Sequence, residues 1–324
     1  MTKSILYLLL FINLSLYSQK AELKLAADAW PPFTNVKGEK SILTDLVSEA
    51  LGRMNIGSTI SIIEFNDVLI EIESGKFDGS PALWISDERK EKYFFSKPYL
   101  YNQLILVGKK GSDVSQTSFS QLNGKRIGVV DNYAYGNFGD NKKITIVSDV
   151  NNQKNLENLL SDKIDYMLVD ALLIQYMLKY QLNDVTKHLA IGLNPLLVKP
   201  LHFALSKNLE NAEEILDQFN EEIEDMIADE SFNRILELNW IQADVDGDGV
   251  TELVLGSNMA GTAAPQNIYG LMMDNTYKEE NGPKRYYIDG KLYEDWDNIP
   301  KSYKLDLVED KTPSEEDTFI RLDF

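Results

Sequence analysis

The hydrophobic positions of this chain fall into short runs whose period switches repeatedly between two and about 3.6 residues, the pattern of strands alternating with helices. Residues 23–27 alternate and then meet Trp30-Pro31-Pro32-Phe33, so a strand runs into a turn that proline keeps from becoming a helix. Over 42–54, Leu43, Leu46, Val47, Ala50, Leu51 and Met54 recur at helical spacing, with Gly52 near the end. Residues 59–65 predict a strand, 67–73 a helix stopped by Gly75, and 77–83 a further strand. This rhythm predicts an α/β lobe with a largely parallel sheet.

A second α/β unit follows. Residues 104–107 form a strong strand that ends at Gly108-Lys109-Lys110-Gly111, taken as the first crossover between lobes. Strands are predicted near 124–130, 144–147, 164–169 and 201–205, and helices over 152–160 and 171–180. Residues 212–238 read as two helical segments broken near Asp229, which return to the first lobe. Beyond Trp240 the composition turns to Asp, Asn, Gly and Tyr, which places a domain boundary near Gln242. Within this tail, residues 286–293 (YYIDGKLY) predict a hairpin with an Asp-Gly turn.

The N-terminus changes the picture of where the protein works. Lys3 precedes an almost unbroken apolar run over 5–16, followed by Tyr17-Ser18-Gln19-Lys20. A run of about a dozen apolar residues is short for a bilayer span and reads as a secretory signal peptide over 1–19, cleaved after Ser18 or Gln19. An uncleaved anchor is the alternative. The mature protein is expected to be periplasmic or secreted. Net charge is −19, which excludes a nucleic-acid footprint and attraction to an anionic membrane surface. There is no cysteine, so disulfides, thiolate chemistry and a lipobox are excluded, and two histidines are too few for a His-rich metal centre.

One stretch carries most of the functional information: ESGKFDGSPALWISDERKEKYFFSKPYLY, residues 73–101. It joins a Phe77-Asp78-Gly79 turn, a Ser86-x-x-Arg89 turn and a Ser96-Lys97-Pro98-Tyr99 close. It resembles the signature of the family 3 extracytoplasmic solute-binding proteins, the two-lobed venus-flytrap type, and the resemblance extends over roughly residues 22–240. It implies an α/β, periplasmic-binding-protein-like (type II) fold. Lobe 1 would take about 20–106 and 203–241, lobe 2 about 107–202, with hinges near 107–109 and 199–202. Residues 242–324 would form a small, mostly-β extension.

The same resemblance implies capture of a small carboxylate-bearing ligand, an amino acid or similar, for an ABC permease or a membrane receptor. Arg89 would grip the carboxylate with its planar guanidinium. Asp170 would pair with an ammonium group, or cap the helix over 171–180. Trp30 and Phe65 would flank the ligand, with core packing as the alternative, and Asp28 would line the rim. Trp84 stands where amino-acid binders carry a small hydroxyl residue. Tyr133 and Tyr135 lie in a loop (Asp131-Asn132-Tyr133-Ala134-Tyr135) where a Gly-Thr-Thr sequence is usual, similar to sensory flytrap domains. These departures loosen the amino-acid template. A cyclohexadienyl dehydratase-like enzyme, with Asp170 or Glu64 as its acid, is the alternative. The sequence has no Ser-His-Asp or paired-carboxylate spacing that calls for it.

A second motif lies in the tail: Asp244-Val245-Asp246-Gly247-Asp248-Gly249-Val250-Thr251-Glu252. Carboxylates at its first, third, fifth and ninth positions suit one Ca²⁺, and Gly249 permits a sharp turn. Leu255 stands where a helical EF-hand needs its bidentate glutamate. The flanks read as strands, so the motif resembles the calcium loop of integrin-type FG-GAP repeats, in a single copy and with a structural role. A solvated Asp-Gly turn is the alternative. A calcium-linked interaction protein whose flytrap binds no solute is the third functional reading.

Overall fold

A computed structural model describes residues 22–136, 138, 143–180, 186–236, 240–243, 245–246, 248, 250, 252–255 and 285–304. The first half builds β1 (Glu22–Ala27), α1 (Ile42–Arg53), β2 (Gly57–Ile62), α2 (Phe65–Glu73), β3 (Gly79–Leu83), α3 (Asp87–Lys92) and β4 (Tyr93–Phe95). A long strand, β5 (Leu100–Lys109), leads to β6 (Arg126–Val130), β7 (Thr145–Asp149), α4 (Asn152–Leu160), β8 (Tyr166–Asp170), α5 (Ala171–Tyr180) and β9 (Leu189–Ile191). A second long strand, β10 (Leu197–Ser206), returns to α6 (Ala212–Ala228) and α7 (Ser231–Leu236). The described tail holds β11 (Trp240–Ala243), β12 (Glu252–Leu255), β13 (Arg285–Ile288) and β14 (Lys291–Tyr293).

The strand order β2-β1-β3-β10-β5-β8-β6-β7 divides into two parallel units joined by β5 and β10. β1 pairs in parallel with β2 and β3, and β6 with β7 and β8. Leu100–Leu104 of β5 pair antiparallel with Leu201–Leu197 of β10. From there β5 enters the second half beside β8, and β10 enters the first half beside β3 and β4. The first crossing therefore lies at 100–104, several residues before the 107–109 expected from sequence. Leu104–Gly108 are already committed to β8. Gly108 lies inside β5, paired with Tyr166 and Ala190, and Gly111 follows the strand in a left-handed conformation, φ 86°. The second crossing, 197–201, overlaps the expected hinge at 199–202.

Helix α1 is held by its apolar face: Ile42, Leu43, Leu46, Val47, Ala50 and Leu51 are all buried. Each large apolar side chain buried this way contributes about 1.5–3 kcal/mol before entropy is counted. Helix α6 buries Leu216, Phe219, Ile223, Met226 and Ile227. It returns to the first half, as the amphipathic pattern predicts. Arg53 ties these elements together, bonding Glu49 at 3.0 Å, Glu222 at 3.3 Å, Asp229 at 2.7 Å and Ser231 at 2.9 Å. Gly79 lets β3 approach β10, because a Cβ there would stand 2.1 Å from the Ala204 carbonyl oxygen.

The tail forms a four-stranded sheet in the order β11-β12-β13-β14. Asp289 and Gly290, with φ of 51° and 72°, make the turn between β13 and β14 that an Asp-Gly pair favours. β12 and β13 pair in parallel, which the sequence did not predict. Leu253, Leu255, Tyr286, Ile288 and Ile299 form a small core of its own. The sheet is fastened to the first half where Asn233 Nδ2 donates to the Val254 carbonyl at 3.0 Å and the Asp289 N–H donates to Glu230 Oε1 at 2.8 Å. The expected signal peptide, 1–19, lies outside the described residues. Among those described, no helix is long and apolar enough to cross a membrane.

Candidate functional site

The first half supplies its wall of the cleft from strand ends and helix starts, where open α/β sheets present ligand crevices. Asp28 follows β1, Trp30 lies two residues on, Phe65 opens α2, and Trp84 follows β3. Ser86 caps α3 by accepting the Arg89 N–H at 3.2 Å, which gives the Ser-x-x-Arg spacing its local reason. Arg89 is buried. Its Nη1 donates to the Trp84 carbonyl at 2.6 Å, and its Nη2 donates to the Asn132 carbonyl at 2.9 Å. The guanidinium also lies 5.3 Å from the Phe65 ring centroid, a cation–π distance. Burial lowers its pKa, yet an arginine so perturbed stays charged at neutral pH.

The second half contributes the loop after β6. Asn132 adopts a left-handed conformation, φ 57°, which a short polar side chain tolerates. Its carbonyl meets Arg89, and its side-chain amide donates to Asn66 Oδ1 at 2.7 Å across the cleft. Tyr133 projects into the first half. Its hydroxyl donates to Asp28 Oδ2 at 2.5 Å. Its ring lies 4.6 Å from Phe65, 5.4 Å from Trp84 and 5.9 Å from Trp30, edge-on in each case. The space left is about 10 Å³, barely room for one water molecule, so the cleft is filled by its own side chains. Burial pushes the Asp28 carboxyl up to about 6, although the hydrogen bond from Tyr133 acts in the opposite direction.

Of the eight residues that the sequence nominated for ligand contact, Asp28, Trp30, Phe65, Trp84, Arg89 and Tyr133 line this one space. Two do not. Tyr135 stands behind the lining, stacked on Tyr133 at 6.0 Å and edge-on to Trp84 at 5.3 Å, and its hydroxyl accepts the Val130 N–H at 3.1 Å. Asp170, buried at the end of β8, accepts the Leu172 N–H at 2.7 Å. Of its two expected roles, the geometry matches the helix cap. Glu64, the other acid considered for catalysis, is exposed just before α2. Two contributors were missed. Asn132 meets Arg89 through its main chain, a contact that leaves no side-chain signal. Lys199 places Nζ 5.8 Å over the Trp84 ring, and burial and Arg89 lower its pKa. A lysine inside the apolar run Leu196-Leu197-Val198-Lys199-Pro200-Leu201 was the available hint.

The acidic loop brings ligand oxygens of Asp246, Asp248 and Glu252 within 4.8 Å of one another. Glu252 is buried and the other two are exposed. Asp244 lies outside the described residues. A guanidinium sits among these carboxylates. Arg285 is placed opposite Glu252 by the β12–β13 register. It makes a bidentate pair with Asp248 at 2.9 Å for both bonds, contacts Glu252, and lies 3.7 Å from Asp246. The Arg285 hydrogen bonds hold Asp248 below the usual carboxylate range.

Comparison with known proteins gives a consistent picture. The family model for bacterial extracellular solute-binding proteins, family 3, matches residues 23–243. The L-cystine-binding protein TcyJ of Escherichia coli (strain K12) is 26% identical over 223 residues, 67% of this chain and 80% of the relative. The ABC transporter arginine-binding protein 1 of the same strain is 25% identical over 197 residues, 56% of this chain and 79% of the relative. An ancestral arginine-binding protein bound to arginine superposes with a TM-score of 0.56 at 23% identity, covering 67% of this chain and 97% of its own. The ancestral amino-acid-binding protein AncCDT-1, a precursor of cyclohexadienyl dehydratase, gives 0.55 at 21% identity, covering 67% and 94%. At these identities the structural likenesses establish the fold alone.

The raised Asp28 carboxyl has a signed consequence. Between the ordinary aspartate value, about 4, and the folded value of about 6, the folded chain binds more protons than the unfolded one. Stability therefore falls as pH rises through that window. Asp28→Asn removes the ionised form and keeps an acceptor for Tyr133. Its melting temperature is expected to exceed the parent's at pH 7.5 and to approach it near pH 4. An equal difference at both values would contradict the shift.

Proposed function

Because the chain belongs to the bacterial extracellular solute-binding proteins of family 3, we propose that it captures a small carboxylate-bearing solute, an amino acid or a close chemical relative, between its two halves. The chain is a solute-binding protein; the ligand class is the inference. The observation that carries it is the buried Arg89. Among the described residues no carboxylate forms an ion pair with it, and its bonded acceptors are neutral main-chain carbonyls. A carboxylate is a stronger acceptor for a guanidinium than a carbonyl and matches its fork. The cystine- and arginine-binding relatives support an amino acid as the solute.

The wider setting is part of the same proposal. The signal peptide at 1–19 would deliver the protein outside the cytoplasm, and a transporter permease or membrane receptor would read the closed form. Capture without transformation is the simplest reading, since the cystine- and arginine-binding relatives are binding proteins. Isothermal titration against the amino acids and small organic acids tests the ligand role. Arg89→Ala is expected to cost ~2–5 kcal/mol, which is roughly 30-fold or more in affinity. Equal binding by parent and variant would remove Arg89 from the site.

For the tail we propose a structural Ca²⁺ site of the FG-GAP-like kind, held by Asp246, Asp248 and Glu252 and, from the motif spacing, Asp244. Three converging carboxylates are the hard oxygen donors that calcium prefers. Arg285 bonds the Asp248 carboxylate and contacts Glu252, so calcium would have to displace it. Calcium is expected to raise the melting temperature, with EGTA reversing the effect and Arg285→Gln enlarging it. An unchanged melting temperature in both proteins would reject the calcium assignment.

A further inference from the structure

The place a solute needs is filled from within the chain. The loop after β6 belongs to the second half, yet two of its residues are bonded to the first. The Asn132 carbonyl accepts from Arg89, and the Asn132 amide donates to Asn66. The Tyr133 hydroxyl donates to Asp28, and its ring packs against Phe65, Trp84 and Trp30. These two residues present the first half with an acceptor, an aromatic ring and a donor in sequence. Those are the groups that a carboxylate-bearing solute would offer to the same partners.

We infer that Tyr133 is an internal occupant of the cleft, which holds the halves together without solute and decides which solutes can enter. The inference rests on the solute-capture reading above and deepens it. A solute must expel the phenol from the aromatic box and take over the Asn132 bond to Arg89. Its apparent affinity is its intrinsic affinity reduced by the fraction of molecules in which Tyr133 has left. A solute that meets Arg89 alone leaves Asp28 and the three rings to Tyr133 and cannot complete the exchange. Tyr133, which lies in the loop where the family usually has Gly-Thr-Thr, thus acts as the specificity determinant.

The chain has no cysteine, so labels can be placed at will. Ile70 in α2 and Val150 before α4 are exposed, at 63% and 58%, and lie on opposite halves. Spin labels at Ile70→Cys and Val150→Cys report the interlobe distance by pulsed electron resonance. The solute-free parent is expected to give one short, narrow distribution. Tyr133→Ala is expected to give a longer, broader one, and to bind any amino acid that the parent binds at least tenfold more tightly. Tyr133→Phe keeps the ring contacts and loses the Asp28 bond, and is expected to populate both distances. This conservative change serves if the alanine variant fails to fold. Parent-like distances in every folded variant, or an open solute-free parent, would overturn the inference. So would equal solute affinity in parent and Tyr133→Ala. If the distances shift as expected and no protein binds any solute, the internal occupant stands and the solute reading falls.

Discussion

A buried guanidinium must have acceptors, and the cleft is organised around that requirement. Arg89 is taken out of water by α3, Phe65 and the loop after β6, at a desolvation cost that only good hydrogen bonds offset. One acceptor, the Trp84 carbonyl, belongs to its own half. The other, the Asn132 carbonyl, belongs to the opposite half. The charge therefore couples two bodies that two strands connect, alongside the Asn132–Asn66 and Tyr133–Asp28 bonds. Any anion that enters the cleft competes for the same fork.

The fold makes this coupling adjustable. β5 and β10 pair with each other at the crossing and then diverge into separate sheets, so 100–104 and 197–201 are where a hinge between the halves would act. The loop holding Asn132 and Tyr133 sits at the end of β6, and the aromatic box sits at the ends of β1 and β3. Strand ends from both sides therefore meet at the cleft. The tail sheet is fastened to the first half through Asn233 of α7 and Glu230 just before it.

Much of this was legible in the sequence, because local periodicity decides local structure. Leu43, Leu46, Val47, Ala50 and Leu51 announced α1, and Asp289-Gly290 announced its turn. Arg89 was found through the family resemblance of the Ser86-x-x-Arg89 turn, a spacing that the Ser86 cap then explains. What was not legible depends on partners distant in the chain. The bond from Tyr133 to Asp28 spans 105 residues, and no periodicity foretells it. Arg285 reaches the acidic loop through a parallel pairing of β12 with β13, which propensity cannot specify. Asp170 was ambiguous because one carboxylate at a strand end suits a cap as well as a ligand; its bond to the Leu172 N–H shows the cap, a role that can coexist with the other.

A crystal structure of the protein with the tightest solute found by titration tests the central claim most directly. The expected density shows a solute carboxylate within hydrogen-bond distance of Arg89 Nη1 and Nη2, with the Asn132 bond broken and the Tyr133 ring out of the aromatic box. A solute bound elsewhere, with the Arg89–Asn132 and Tyr133–Asp28 bonds intact, would contradict it.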